Sequence, residues 1–266
     1  MHLKKYITLF WLSWQRQLEM RSEFMFERAR SLAIMLSVYY LWSALLENQT
    51  SVLGYSRQDL LTYVLLMTLL RAWVLGCVTD RIPMEIAKGR LSELLLRPIS
   101  HVGYWISQDL ASKSLNIGFA VVEVSVFAWL VKAPLTMPTE VATWLWFGLA
   151  TMFGMIMYFQ LSYMLGVMGF WTAQSWGPRF CFEILLEFCA GAYFPIDVLP
   201  PAAQRALMAL PFPYLIFAPS SIYLGRIHGG AIASCLLHQG VWIVVLSFGV
   251  SQIWKRGLRF YSAEGG

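Results

Sequence analysis

Charge is what this chain has least of. Only 13% of its 266 residues are Asp, Glu, Lys or Arg, where a soluble domain carries about 25%. That scarcity, with 58% hydrophobic residues and a mean hydropathy of +0.57, excludes an ordinary water-soluble fold. It points to one membrane domain of several spans over residues 1–266. Chemistry-bearing motifs are missing too. The dipeptide Gly-Lys never occurs, so no P-loop can cradle ATP here. HExxH and GxSxG are absent, which removes the zinc-protease and nucleophile-elbow readings. Four histidines leave little for proton chemistry, and His238 alone falls inside an apolar segment. The four cysteines, Cys77, Cys181, Cys189 and Cys235, lie in apolar sequence without a CxxC. They read as small hydrophobes rather than disulfides or metal ligands. No metal, no cofactor bound by this chain and no enzyme activity are expected.

What is present is apolar sequence in blocks. Residues 3–29 read as an amphipathic helix lying in the membrane interface. Leu3, Ile7, Phe10, Trp14 and Leu18 recur at helical spacing, and Arg16, Glu19, Glu23 and Glu27 line another face. Lys4 and Lys5 before YITLFWLSW imitate a signal peptide, but no small-residue cleavage site follows, so this segment is expected to be retained. Six apolar segments follow, at about 31–47, 60–79, within 104–132, 141–171, 179–194 and 231–254. Each approaches the ~20 residues needed to cross a bilayer as helix. Lipid offers the backbone no hydrogen-bond partner, and no segment alternates like a barrel strand. The expected fold is therefore an all-α membrane protein with six transmembrane helices.

The net charge of +5 would suggest nucleic acid in a soluble protein; here its location matters more. Fourteen Lys and Arg flank one side of the six segments and four flank the other, with Arg71 and Lys113 inside spans. The bias puts both termini and the loop 81–100 in the cytoplasm, and makes the lipid bilayer the expected partner rather than nucleic acid. On the opposite side, residues 195–230 hold six prolines. Pro200 and Pro201 open a short helix, AAQRALMAL, that Pro211 stops. Nine residues cannot span, so the segment reads as a re-entrant or interfacial hairpin, or as an external cap without membrane contact.

Charges inside the spans are costly and therefore informative. Asp109 and Lys113 are four apart and pair along one helical face. Glu123 lies deeper on the same helix, Glu183 and Glu187 are four apart on the fifth segment, and Arg71 is midway in the second. They form either a polar path or proton relay, with Glu123 the best functional candidate, or a set of structural pairs with long side chains snorkelling to the interface. Ala150, Gly154, Ser162 and Gly166 suit close helix packing, within the chain or across a dimer.

The loop RIPMEIAKGRLSELLLRPIS reads as helix, break, helix. Pro83 suits a first turn, Gly89 an end, Ser92 caps a second helix and Pro98 stops it. Leu91, Leu94 and Leu95 share a face that packs on the protein itself or fits a groove on another.

EIAKGRLSELLLRPIS at 85–100 and YFPIDVLPPAAQRALMALPFPYLIFAPSSIYLGR at 193–226 resemble ABC-2 type permease subunits, in the branch of about this length. The resemblance covers essentially the whole chain. It implies two permease chains, homo- or heterodimeric, working with two separate ATPase subunits that hold ATP and Mg, in a bacterial cytoplasmic membrane, as an exporter. It implies that residues 1–30 form an interfacial elbow and that the 195–230 hairpin lies outside. It also implies that the first cytoplasmic loop is a coupling helix docking the ATPase, carried here by Met84, Glu85, Ile86, Lys88, Arg90, Leu91, Leu94, Leu95 and Arg97. The alternatives are a proton-coupled carrier using Glu123 and Asp109, and a non-transporting anchor or sensor for an ATPase.

Overall fold

The computed structural model describes residues 2–19, 21–47, 51–52, 54–172 and 176–261. It is almost entirely helical. In chain order the helices are α1 (His2–Glu19), α2 (Arg21–Leu45), α3 (Arg57–Leu70), α4 (Ile82–Ala87), α5 (Arg90–Leu95), α6 (His101–Val131), α7 (Val141–Val167), α8 (Trp176–Cys189), α9 (Pro201–Met208), α10 (Phe217–Tyr223) and α11 (Gly230–Phe260). A two-residue hairpin pairs β1 (Ser51–Val52) with β2 (Tyr55–Ser56) before α3. Among the described residues, four helices are long and apolar enough to cross a membrane: α3 with its continuation to Leu75, α6, α7 with its 3₁₀ extension to Phe170, and α11. Six apolar blocks were expected. The two that do not meet this standard are α2, which carries charges in its first half, and α8, which has only 14 residues.

Several boundaries depart from the sequence pattern. The segment 3–29 is helical throughout its described residues, as α1 over His2–Glu19 and as the start of α2 from Arg21, and α2 runs on through the expected first span. Nor is α1 without a protein partner. It lies along the first half of α6, where the Tyr6 hydroxyl meets Ser100 Oγ at 3.2 Å and Lys5 Nζ donates to the Pro98 carbonyl at 3.5 Å. The fifth block is already helical at Trp176 and stops at Cys189, because Gly191 turns the chain in the left-handed region (φ 80°). In the loop, Gly89 (φ 71°) is the cap of α5, not Ser92. Ser92 sits inside that helix and donates back to the Gly89 carbonyl.

Contacts sort the connections into two ends. At one end α1, the 81–100 loop and the tail of α11 meet; the Tyr261 hydroxyl donates to the Gly89 carbonyl at 3.2 Å. At the other end β2, the 133–138 segment and the 195–227 segment meet. There the Tyr55 hydroxyl donates to Asp197, Arg226 bridges to Asp197 at 3.1 Å and lies 3.8 Å over the Tyr55 ring, and Gln58 Nε2 donates to the Leu135 carbonyl. Burial, and then the neighbouring Asp197 carboxylate, push the Tyr55 hydroxyl pKa upward.

The proline-rich segment folds inward. α9 has no buried residue, whereas all seven residues of α10 are buried in the main core beside α3 and α7. Gln239 of α11, fully buried, donates to the carbonyls of Ala150 and Tyr214 at 2.9 and 2.8 Å, tying α7, α11 and this segment together. Irregular backbone inside an apolar protein survives because such donors satisfy it.

The small residues of α7 pack within the chain. A Cβ on Gly154 would stand 3.1 Å from the Leu215 carbonyl, and one on Gly166 only 2.7 Å from the Thr79 carbonyl. The second approach seats the root of the 81–100 loop directly on α7. Gly166→Ala must displace that backbone and is expected to cost about 1–3 kcal/mol. Thermal unfolding of the purified protein in detergent reads this as a lower midpoint. Gly240→Ala, which meets nothing within 4 Å, should leave the midpoint in place; equal midpoints for the two variants would contradict the packing.

Candidate functional site

Two regions concentrate polar chemistry in this apolar chain: a network of ion pairs among the long helices, and the loop between α3 and α6.

The network begins where α3 ends. Residues Arg71–Leu75 form one π-helical turn, the amide of Gly76 reaching the Arg71 carbonyl five residues back at 3.1 Å. Such turns widen a helix and re-aim a side chain. Here Arg71 bonds Glu187 of α8, and both bond Tyr193, whose hydroxyl lies 2.7 Å from Glu187 Oε2 and 3.2 Å from Arg71 Nη2. One helical turn earlier on α8, Glu183 takes Arg179 Nε at 2.8 Å. Arg179 then reaches Ser162 Oγ of α7 at 2.6 Å and Thr79 Oγ1 at 3.4 Å, while Thr79 and Ser162 bond each other at 2.7 Å. Arg179 as a whole is 8% exposed. It thus joins α8, α7 and the root of the loop.

Asp109 and Lys113 do pair along α6, at 2.6 Å. Both are buried, Lys113 completely, so the snorkelling expected of that lysine does not occur; its ammonium stays beside Tyr158 within the protein. Glu123 faces Arg28 of α2 at 3.8 Å, too long for a hydrogen bond.

The loop is rooted in a second core of Val78, Ile82, Ile86, Leu91, Trp105, Phe159, Tyr163 and Val167. His101 stacks on Trp254 of α11 at 4.3 Å, hydrogen-bonds the Tyr163 hydroxyl through Nδ1 and accepts from Trp105 Nε1, so it is a packing residue. The three leucines read as one face are divided. Leu91 and Leu94 are buried against the protein with Ile86, whereas Leu95 points outward. The exposed apolar surface is Met84, Leu95 and Leu96, the last 87% exposed. Lys88, Arg90 and Arg97 are exposed on the same loop, and Glu85 is half-buried. Burial raises the Glu85 carboxyl above its ordinary value, against the pull of Arg90, Arg16 and Arg81.

A family model described as "ABC-2 family transporter protein" matches residues 32–265. The chain belongs to this family. No curated protein matches it. As an ABC-2 family protein it is a multi-pass membrane component of transmembrane transport, which agrees with the four described helices that are long and apolar enough to cross a membrane.

Reading the sequence of this ABC-2 protein linearly missed Arg179, counted among loop charges, together with Thr79, Arg28 and Tyr193, and took Ser162 as a small packing residue only. The signal available was the Arg179–Glu183 spacing of four, obscured by pairing Glu183 with Glu187 instead. The buried Asp109–Lys113 pair gives the most direct energetic test. Lys113→Met leaves a carboxylate uncompensated inside the protein and is expected to cost about 3–5 kcal/mol. Combining it with Asp109→Asn should recover more than half of that loss. Denaturation of the two single variants and the double variant measures the coupling; purely additive losses would contradict a buried ion pair.

Proposed function

We propose that this chain is the permease subunit of an ATP-driven exporter in a bacterial cytoplasmic membrane. A second permease chain, identical or homologous, completes the membrane unit, and separate ATPase subunits hold ATP and Mg. Within this reading α2 and α8 join the four long helices as the remaining two spans. The end carrying α1, the 81–100 loop and the tail of α11 is cytoplasmic, a placement that the excess of Lys and Arg on that side supports. α1 is the elbow, and the proline-rich segment with buried α10 is a re-entrant hairpin on the outside.

The observation that carries this reading is the exposure of Met84, Leu95 and Leu96 on a basic loop of a family transporter. Three large apolar side chains beyond the ends of the long helices, flanked by Lys88, Arg90 and Arg97, suit a groove on a partner protein. Leu91 and Ile86, carried into the docking set by resemblance, act from beneath by fixing the loop to α6, α7 and α11, and Leu94 of the same set is buried. A partner that closes on ATP and grips this face more tightly in one nucleotide state supplies the coupling energy. The proton-coupled alternative gains no support from Asp109, buried against Lys113, or from Glu123, which faces Arg28.

Leu95→Asp combined with Leu96→Asp tests the assignment. Both side chains are exposed, so folding and membrane insertion should be unchanged. Stimulation of the cognate ATPase by the permease should fall at least tenfold. Full stimulation by a correctly inserted double variant would refute docking at this loop.

A further inference from the structure

The ion pairs of α8 line a groove. Between α2, the π turn, α6 and α8 lie two cavities of about 360 and 780 Å³ that share Glu27, Arg30, Asn116, Phe180, Glu183 and Glu187. One reaches Gln17 at the end of α1; the other reaches Tyr193. This space has incomplete valences of both signs. Glu183 gives only Oε1 to Arg179, and Glu187 gives only Oε2 to Arg71 and Tyr193, so Glu183 Oε2 and Glu187 Oε1 have no hydrogen-bond partner among the described residues. Both carboxylates are partly exposed, at 38% and 28%. Arg179 also lines the groove, is nine-tenths buried, and keeps Nη1 without a partner.

Over the whole lining, Arg28, Arg30, Arg71, Arg81 and Arg179 face Glu27, Asp80, Glu183 and Glu187, close to electrical balance. A ligand of one sign gains at one partner and is repelled by the next. A ligand carrying both signs satisfies an exposed acceptor and the unpartnered buried donor together. The walls add apolar surface: Phe180 and Ile184, each about half exposed, with Met35 behind them.

We propose that this groove binds the zwitterionic headgroup of an amphipathic molecule. The cationic group lies at Glu183 and Glu187, the anionic group at Arg179, and the apolar part against Phe180 and Ile184. Naming such a molecule as the cargo class rests on the permease reading; its binding does not.

Binding is measured on the full chain in dodecyl maltoside, without ATP or ATPase, using dodecylphosphocholine, dodecyl phosphate and dodecyltrimethylammonium in parallel with tail-less phosphocholine. The zwitterionic amphiphile should bind saturably and at least tenfold more tightly than either singly charged one. Phosphocholine alone should bind more weakly than dodecylphosphocholine; equal affinity would overturn the amphipathic assignment. Ile184→Trp, which fills the groove without touching a charge, should weaken binding at least fivefold. Glu183→Gln should weaken the zwitterion and the cation but not dodecyl phosphate. Equal affinity for all three amphiphiles, or wild-type binding by Ile184→Trp, overturns the proposal. A chain that binds as proposed but never stimulates an ATPase refutes the permease reading alone; the reverse result refutes this site alone.

Discussion

A guanidinium inside an apolar bundle needs acceptors around it, and Arg179 meets most of that demand through Nε and Nη2, leaving Nη1 without a partner among the described residues. Its partners come from three places at once: Glu183 on its own helix, Ser162 on α7, and Thr79 at the start of the loop. Removing any one of them leaves a buried donor less satisfied, at a cost of a kilocalorie or more each (~1–3 kcal/mol). The side chain therefore fixes the loop root to α7 and α8 through hydrogen bonds with directional demands. Gly166 does the same sterically from beside Ser162, by letting the Thr79 backbone approach α7.

The loop is accordingly part of the helical body. Ile82, Ile86 and Leu91 share a core with Trp105, Tyr163 and Val167. Tyr6 of α1 holds one end at Ser100, and Tyr261 of α11 holds the break at Gly89. A force applied at Met84, Leu95 or Leu96 reaches α6, α7 and α11 through packed side chains, and reaches α8 through Arg179. Rigid roots and an exposed apolar tip are what a mechanical connection to a partner requires. The groove beside α8 lies on the far side of the same ion pairs, so loop position and groove shape depend on shared contacts.

Much of this was legible in the sequence because membrane insertion imposes strong patterns. The long apolar blocks, the Pro-opened α9, the Gly89 break and the spacing of Asp109 and Lys113 all follow from local rules. The blocks that misled were those whose character depends on neighbours. α2 continues below its apolar part because α6 offers a surface there: Phe24 packs edge-on against Phe119 at 4.8 Å. Snorkelling failed for Lys113 because Asp109 gives the ammonium a partner without leaving the interior. Leu91, Leu94 and Leu95 looked equivalent, since helical spacing alone does not say which edge of a six-residue helix meets the body. Arg179 was hidden because its other partners, Thr79 and Ser162, are distant in sequence.

Accessibility of Leu96→Cys in a Cys181→Ser background, read by a membrane-impermeant thiol reagent in inside-out vesicles, tests the central claim most directly. Labelling should be fast for the permease alone and at least tenfold slower with the cognate ATPase bound. Unprotected Leu96→Cys in the assembled complex, or labelling only from the opposite face of the membrane, would contradict the account.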